Sequence, residues 1–147
     1  MNKFTVLLGA LALSASAALA APHTVKQTSD GYLNVRSGPG TSYDIMQAMR
    51  FAAGLENDSR TLPNQRADII NLSLGSNGSS PMEAELYKQI HDMGIMIVAA
   101  AGNDNNSMPF YPAAYDGVIS VSATDFRKDK APYSNFGNHI DIAAPGG

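Results

Sequence analysis

The pattern of apolar and polar positions changes character near residue 44. From His23 to Asp44 the chain is polar, with Leu33 and Val35 apolar at period two, and the stretch Ser37-Gly38-Pro39-Gly40 is a strong turn signal. This part reads as short β structure. After Asp44, helical and strand periodicities alternate. Asp44 is placed to N-cap a helix from Ile45 to Ala53, with Ile45, Met49 and Ala52 on one face and Gly54 ending it. Residues 56–66 are polar around Pro63 and read as a loop. Ala67 to Leu74 reads as a short buried strand, followed by a turn-rich link containing Asn77-Gly78. Ser80, Pro81 and Glu83 form a capping box with proline at the first helical position. The helix they open carries Met82, Leu86, Ile90 and Met93 on one face and stops at Gly94. Ile95 to Ala101 is continuously apolar, as expected of a strand covered on both faces. Val118–Ala123 and Ile140–Ala143 are two further short strands. Strand–helix–strand order with apolar strands predicts an α/β fold: a parallel sheet with crossover helices, preceded by a short β segment.

The amino terminus has a different pattern. Lys3 precedes an apolar run from Phe4 to Leu13, and Ala18-Leu19-Ala20 supplies small residues before Ala21-Pro22. The apolar run is shorter than the ~20 residues a bilayer span needs. It reads as a Sec-type signal peptide cut after Ala20, which predicts a secreted or periplasmic protein with no membrane association afterwards. A short amino-terminal membrane anchor is the alternative. The expected organisation is a leader over residues 1–20, a β segment over 21–44 and an α/β domain over 45–147.

Composition narrows the chemistry by exclusion. The chain has 147 residues, 13 acidic and 10 basic, for a formal charge of −3, and no run of Lys or Arg exceeds two. No electrostatic footprint for nucleic acid is present. With no cysteine, disulfides, thiol catalysis and cysteine zinc sites are excluded together. His23, His91 and His139 share no metal-ligand spacing.

In open α/β sheets, ligands bind beyond the carboxyl ends of the strands. Two predicted strand ends carry unusual residues: Leu72-Ser73-Leu74-Gly75, and Ala99-Ala100-Ala101-Gly102-Asn103. With these, Tyr111-Pro112-Ala113-Ala114-Tyr115, Val118-Ile119-Ser120-Val121 and Asp141-Ile142-Ala143-Ala144-Pro145-Gly146 follow in order. Together the blocks resemble the subtilisin-like serine proteases (subtilases, the S8 peptidases), roughly from Ile45 to Gly147. The resemblance implies that Asn103 is the side-chain donor of an oxyanion hole, a neutral amide placed where negative charge develops. Read without the flanking blocks, Asn103 is better taken as the start of a polar loop with Asp104, Asn105 and Asn106. The resemblance further implies that Leu72, Ser73, Leu74 and Gly75 pair with a peptide substrate as an added strand. With Ala100, Ala101 and Gly102 they would flank a primary specificity pocket, where small residues leave room for a side chain. It also implies a weak cation site formed by the carbonyls of Ala113, Tyr115 and Val118 with the Asp141 carboxylate, suited to Ca²⁺ or a monovalent ion. Asp141 as an ordinary strand-end carboxylate is the alternative. Tyr111-Pro112 is a candidate cis peptide by the same resemblance.

The resemblance also shows what this sequence does not contain. Subtilases order a catalytic triad Asp, His, Ser along the chain, and the matching blocks here include none of the three motifs. Gly40-Thr41-Ser42 looks like a nucleophile motif but lies on the wrong side of the blocks and continues Tyr43-Asp44 rather than Met-Ala. His91 and His139 lack a motif that would make either a base and read as surface histidines. The expectation is a secreted serine endopeptidase by ancestry, keeping its oxyanion donor and substrate strand, and inactive as this isolated chain. Gly31 to Tyr43 separately resembles the opening of a bacterial SH3 (SH3b) domain, whose families bind cell wall or peptides; a spacer without a ligand fits as well. That resemblance supports a second reading, an exported cell-wall or peptide-binding protein with a vestigial protease tail. A third is a noncatalytic protein that offers the Leu72–Gly75 edge to peptides.

Overall fold

The computed structural model describes residues 42–146, together with three strands before them, Thr5–Leu8, Thr24–Gln27 and Leu33–Arg36. The Ser37-Gly38-Pro39-Gly40 turn signal lies outside the described residues. In chain order the elements are β1 (Thr5–Leu8), β2 (Thr24–Gln27), β3 (Leu33–Arg36), α1 (Ser42–Ala52), β4 (Ile69–Leu72), α2 (Pro81–Asp92), β5 (Met96–Ala100), β6 (Val118–Thr124) and β7 (Ile142–Pro145). A five-stranded sheet runs β1-β4-β5-β6-β7 with every neighbouring pair parallel. The α/β class expected from the strand–helix–strand pattern is the class observed. β2 and β3 form a separate antiparallel pair, Val25 opposite Val35. β1, inside the stretch read as a leader, is the edge strand beside β4, with Leu8 opposite Leu72.

Local chemistry sets the helix boundaries. α1 begins at Ser42, so Asp44 sits in its first turn, where a carboxylate favours the positive end of the helix, rather than at the cap. α1 buries Met46, Ala48, Met49 and Ala52, with Ile45 packed at the margin. Ser80 caps α2, its Oγ accepting from Glu83 N at 3.5 Å, with Pro81 as the first helical residue. Such a cap contributes about 1 kcal/mol. The reciprocal half of the capping box is not made. The Glu83 carboxylate accepts from the Tyr115 hydroxyl at 2.9 Å, and the same hydroxyl accepts from Ser80 N at 2.8 Å. A tyrosine 35 residues away thus ties the helix start to the loop before β6. The apolar face of α2 is rotated from the expected one: Leu86, Tyr87 and Ile90 are buried, while Met82 is 67% exposed. Gly94, at φ +79°, reverses the chain after the helix and lets its amide donate to His91 O.

The core lies between the two helices and one face of the sheet. Met49, Ile70, Leu72, Tyr87, Ile90 and Ile97 are fully buried there. Burial of an aliphatic side chain of this size contributes roughly 1.5–3 kcal/mol. β5 alternates rather than being covered on both faces: Ile97 and Ala99 are buried, but Met96 is 47% exposed. The reason is geometric, since α1 and α2 join one core with the alternate strand residues Ile70, Leu72, Ile97 and Ala99. Parallel strands bring their carboxyl ends to a common edge, and the segments after Leu72 and Ala100 emerge there side by side, in register Leu72 opposite Ala99.

Candidate functional site

The site is built from the two loops that leave β4 and β5. Leu72 ends β4 fully buried, and the chain then surfaces: Ser73 and Gly75 are exposed and Leu74 is half-buried. Asn71 Nδ2 donates to Ser73 Oγ at 3.1 Å. Ser73, Leu74 and Gly75 make no backbone–backbone hydrogen bond among the described residues, so this edge is free to pair with an extended chain. Beyond it, Ser76 and Tyr111 exchange two backbone hydrogen bonds of 2.8 Å and fix the far side of the loop.

After β5 the chain enters a turn whose first members are held by their neighbours. Ala101 N donates to Val121 O at 3.0 Å, and the carbonyls of Ala101 and Gly102 accept from Asn135 Nδ2 and Asn135 N at 2.9 and 3.1 Å. Gly102, at φ +101°, takes a backbone conformation that side-chain-bearing residues rarely adopt. Asn103 follows, exposed, with a side chain that makes no hydrogen bond among the described residues. The expected donor therefore stands beyond a strand end with both amide hydrogens available. The structure brings together the strand-end residues Leu72–Gly75 and Ala100–Asn103 predicted from sequence.

The glycines of this region lie against the Phe110 ring. A Cβ added to Gly75 would lie 2.4 Å from Phe110 Cε1 and 2.5 Å from Tyr111 O; at Gly102 it would lie 3.0 Å from Phe110 Cγ. The ring is thus in contact with both strand ends, and both positions must be glycine for it to seat. Nothing in the periodicity around Phe110 announces this contact, because it depends on two distant glycines.

The segment from Phe110 to the start of β6 at Val118 carries three of the candidate cation donors, and Asp141, before β7, is the fourth. Tyr111-Pro112 is cis, as the resemblance implied. Tyr115 O accepts from Val118 N at 3.2 Å, while Asp141 Oδ2 accepts from Ser120 N at 2.7 Å and Asp141 N donates to Ser120 O. Ala113, Tyr115 and Val118 are buried. One carboxylate with neutral carbonyls suits a loosely held hard cation. The Asp141 and Tyr115 oxygens are already engaged, so an ion would share them with amides. Ser120 Oγ is buried without a partner. Among the described residues no three His, Cys, Asp or Glu side chains cluster as metal ligands.

The remaining candidates stand apart. Ser42 begins α1. His91 is exposed at the end of α2, its ring against Gly117. His139, expected at the surface, is half-buried: its ring packs on Gly137 and its Nε2 is buried without a partner. Two features escaped the sequence reading. Tyr115 is buried against Tyr87 and Tyr111, at ring-centroid distances of 5.4 and 4.6 Å, and burial pushes its hydroxyl up to about 12. Its hydrogen bond to Glu83 acts in the same direction, while that to Ser80 opposes it. Asn135 is fully buried and hydrogen-bonded on all sides.

The similarities to known proteins agree with this geometry. Residues 14–147 match the family model described as Subtilase family, a match that extends to the amino-terminal side of the motif blocks. Halolysin of Haloferax mediterranei is 43% identical over 110 residues, covering 75% of this chain and 19% of that protein. Thermitase of Thermoactinomyces vulgaris is 34% identical over 110 residues, covering 75% of this chain and 36% of that one. Among solved structures, a protease of Pseudoalteromonas arctica PAMC 21717 superimposes with a TM-score of 0.74 at 34% identity, covering 79% of this chain and 36% of that chain. The chain spans about a fifth to a third of the length of these relatives.

Proposed function

Because the chain belongs to the subtilase family, we propose that it is the substrate-cradling part of a secreted serine endopeptidase, able to hold an extended peptide but not to cut it alone. The observation that carries this reading is the placement, at adjacent strand ends, of Ser73–Gly75 without backbone–backbone hydrogen bonds and of Asn103 without a side-chain hydrogen bond, among the described residues. An extended peptide added along Ser73–Gly75 would gain main-chain hydrogen bonds, with its terminal carbonyl near Asn103. Asn103 would then stabilise negative charge on that oxygen. Attack on the carbonyl needs a nucleophile and a base, and the motifs that supply them in the family are not in this sequence. Loss of either lowers turnover by about 10⁶-fold, a value measured on a subtilisin itself.

Secretion is proposed from the leader pattern and from relatives whose names describe extracellular proteases, among them the minor extracellular protease Epr of Bacillus subtilis, 40% identical over 82 residues. Leader cleavage after Ala20 would remove β1 and leave β4 at the sheet edge. A loosely held Ca²⁺ or monovalent cation at Ala113, Tyr115, Val118 and Asp141 would brace the loop before β6; its contribution would be structural. The test is incubation of the purified chain with a fluorogenic peptide and, separately, with a fluorescent peptide for anisotropy. Binding without hydrolysis is the expected result. Turnover that disappears in Ser42→Ala would refute it, and retention on peptidoglycan that depends on residues 23–44 would favour the cell-wall reading.

A further inference from the structure

We propose that Asn135 is the positioning residue of this site, its buried carboxamide holding the loop that aims the Asn103 amide. The proposal rests on the reading of Asn103 as a donor to a peptide carbonyl or carboxylate. Asn135 is fully buried. Its Nδ2 donates to Ala101 O at 2.9 Å, and its Oδ1 accepts from Asp104 N at 2.8 Å and from Asn106 N at 3.4 Å. Its own amide donates to Gly102 O at 3.1 Å. One side chain and its backbone therefore grip the chain at positions 101 and 102 before Asn103 and at 104 and 106 after it. Asn103 itself has no hydrogen bond among the described residues, so its direction is inherited from this grip.

The residue type follows from the chemistry. The position needs a donor toward a carbonyl and an acceptor toward two amides, both on a short side chain, and a carboxamide supplies both. Aspartate would keep the acceptor but set an oxygen against Ala101 O. Gly102 makes room for the amide, since a Cβ there would lie 2.4 Å from Asn135 Nδ2. A second ring of bonds holds the loop independently: Asn105 N to Tyr133 O at 2.9 Å, Phe136 N to Asn106 O at 3.0 Å, and Lys130 Nζ to Asn105 Oδ1 at 2.7 Å. Removing the Asn135 carboxamide therefore leaves the loop attached but loosens the segment that carries Asn103. A donor acts at full strength only when held in place before the charge arrives.

The test uses the full chain and two acetylated peptides ending in glycine, one with a free carboxylate and one amidated. A hydrogen bond from Asn103 to the carboxylate gives the wild type about a tenfold preference for the acid form. Asn135→Ala and Asn103→Ala each abolish that preference, weakening the acid form about tenfold more than the amidated peptide, whose neutral carbonyl accepts a weaker hydrogen bond. The double variant loses no more than either single one, as for two residues acting through one contact. Asn135→Asp, which keeps the acceptor for Asp104 and Asn106, retains part of the preference and serves if the alanine variant does not fold. A preference undiminished by Asn135→Ala, or by Asn135→Asp where the alanine variant does not fold, or equal weakening of both peptides, overturns the proposal and leaves Asn103 its role. A wild type that binds both peptides alike removes the Asn103 reading and this proposal with it.

Discussion

Replacing Gly102 by alanine should destabilise the chain well beyond what its backbone angle alone costs, and Gly94 provides the matched control. Both glycines have positive φ, +101° at Gly102 and +79° at Gly94, so both alanine variants carry the strain of an L-residue in that region, about 1–2 kcal/mol. Part of this is offset by the lower entropy of the unfolded alanine chain, about 0.4–1 kcal/mol. At Gly94 an added Cβ meets nothing within 4 Å, and the sum stops there, near 1 kcal/mol. At Gly102 the same atom would lie 2.4 Å from Asn135 Nδ2 and 3.0 Å from Phe110 Cγ. The carboxamide cannot retreat without losing its bonds to Ala101 O, Asp104 N and Asn106 N. Overpacking of a filled interior adds about 1–3 kcal/mol. Urea unfolding followed by circular dichroism should therefore place Gly102→Ala 1–3 kcal/mol below Gly94→Ala, with unchanged m-values. Equal midpoints for the two variants would show that the Asn135 and Phe110 contacts do not constrain the loop.

Two further outcomes follow from contacts elsewhere. Phe110→Ala should open the space between Gly75 and Gly102, so that peptides with a bulky residue beside the bound carbonyl gain affinity while glycine-ended peptides do not; anisotropy with the two peptide types reads this, and parallel changes in both would exclude it. Tyr115 has its ionisation raised to about 12 by burial and by Glu83, so the folded state holds the phenol proton through a range where the unfolded chain, near 10, has released it. Stability from this group is complete below pH 10 and declines as pH rises from 10 toward 12. Thermal midpoints across that range should fall more steeply for the wild type than for Tyr115→Phe, and parallel profiles would remove Tyr115 as the cause.

What the sequence made legible was whatever is local or periodic. Gly94 as a helix stop, Ser80-Pro81 as a helix start and the alternation of strands with helices all follow from residues within a few positions of one another. The strand ends at Leu72–Gly75 and Ala100–Asn103 were legible through resemblance, because short runs of small residues at fixed places in an ordered series are distinctive. The features that escaped depend on long-range approach. Glu83 reads as half of a capping box, yet its carboxylate goes to Tyr115, a stronger partner once the phenol is buried and needs an acceptor. Met82 has the right helical spacing for a core residue, but the α2 face turned to the sheet is the one carrying Tyr87, which stacks on Tyr115.

Asn135 shows why a site can be half visible. Its neighbours, Tyr133-Ser134-Asn135-Phe136-Gly137, have the composition of an exposed turn, and an asparagine there normally faces water. It is buried because the loop after β5 surrenders four of its backbone groups to it, a demand created by Gly102 and felt 33 residues later. The residue that would contact a peptide, Asn103, is exposed and free, so its surroundings do little to fix it. The residue that fixes it is internal and saturated with hydrogen bonds. Resemblance to a family names the first kind because the chemistry demands one residue type at one place. The second kind is set by how the two loops meet, and it emerges only when each backbone amide and carbonyl of the turn is traced to its partner.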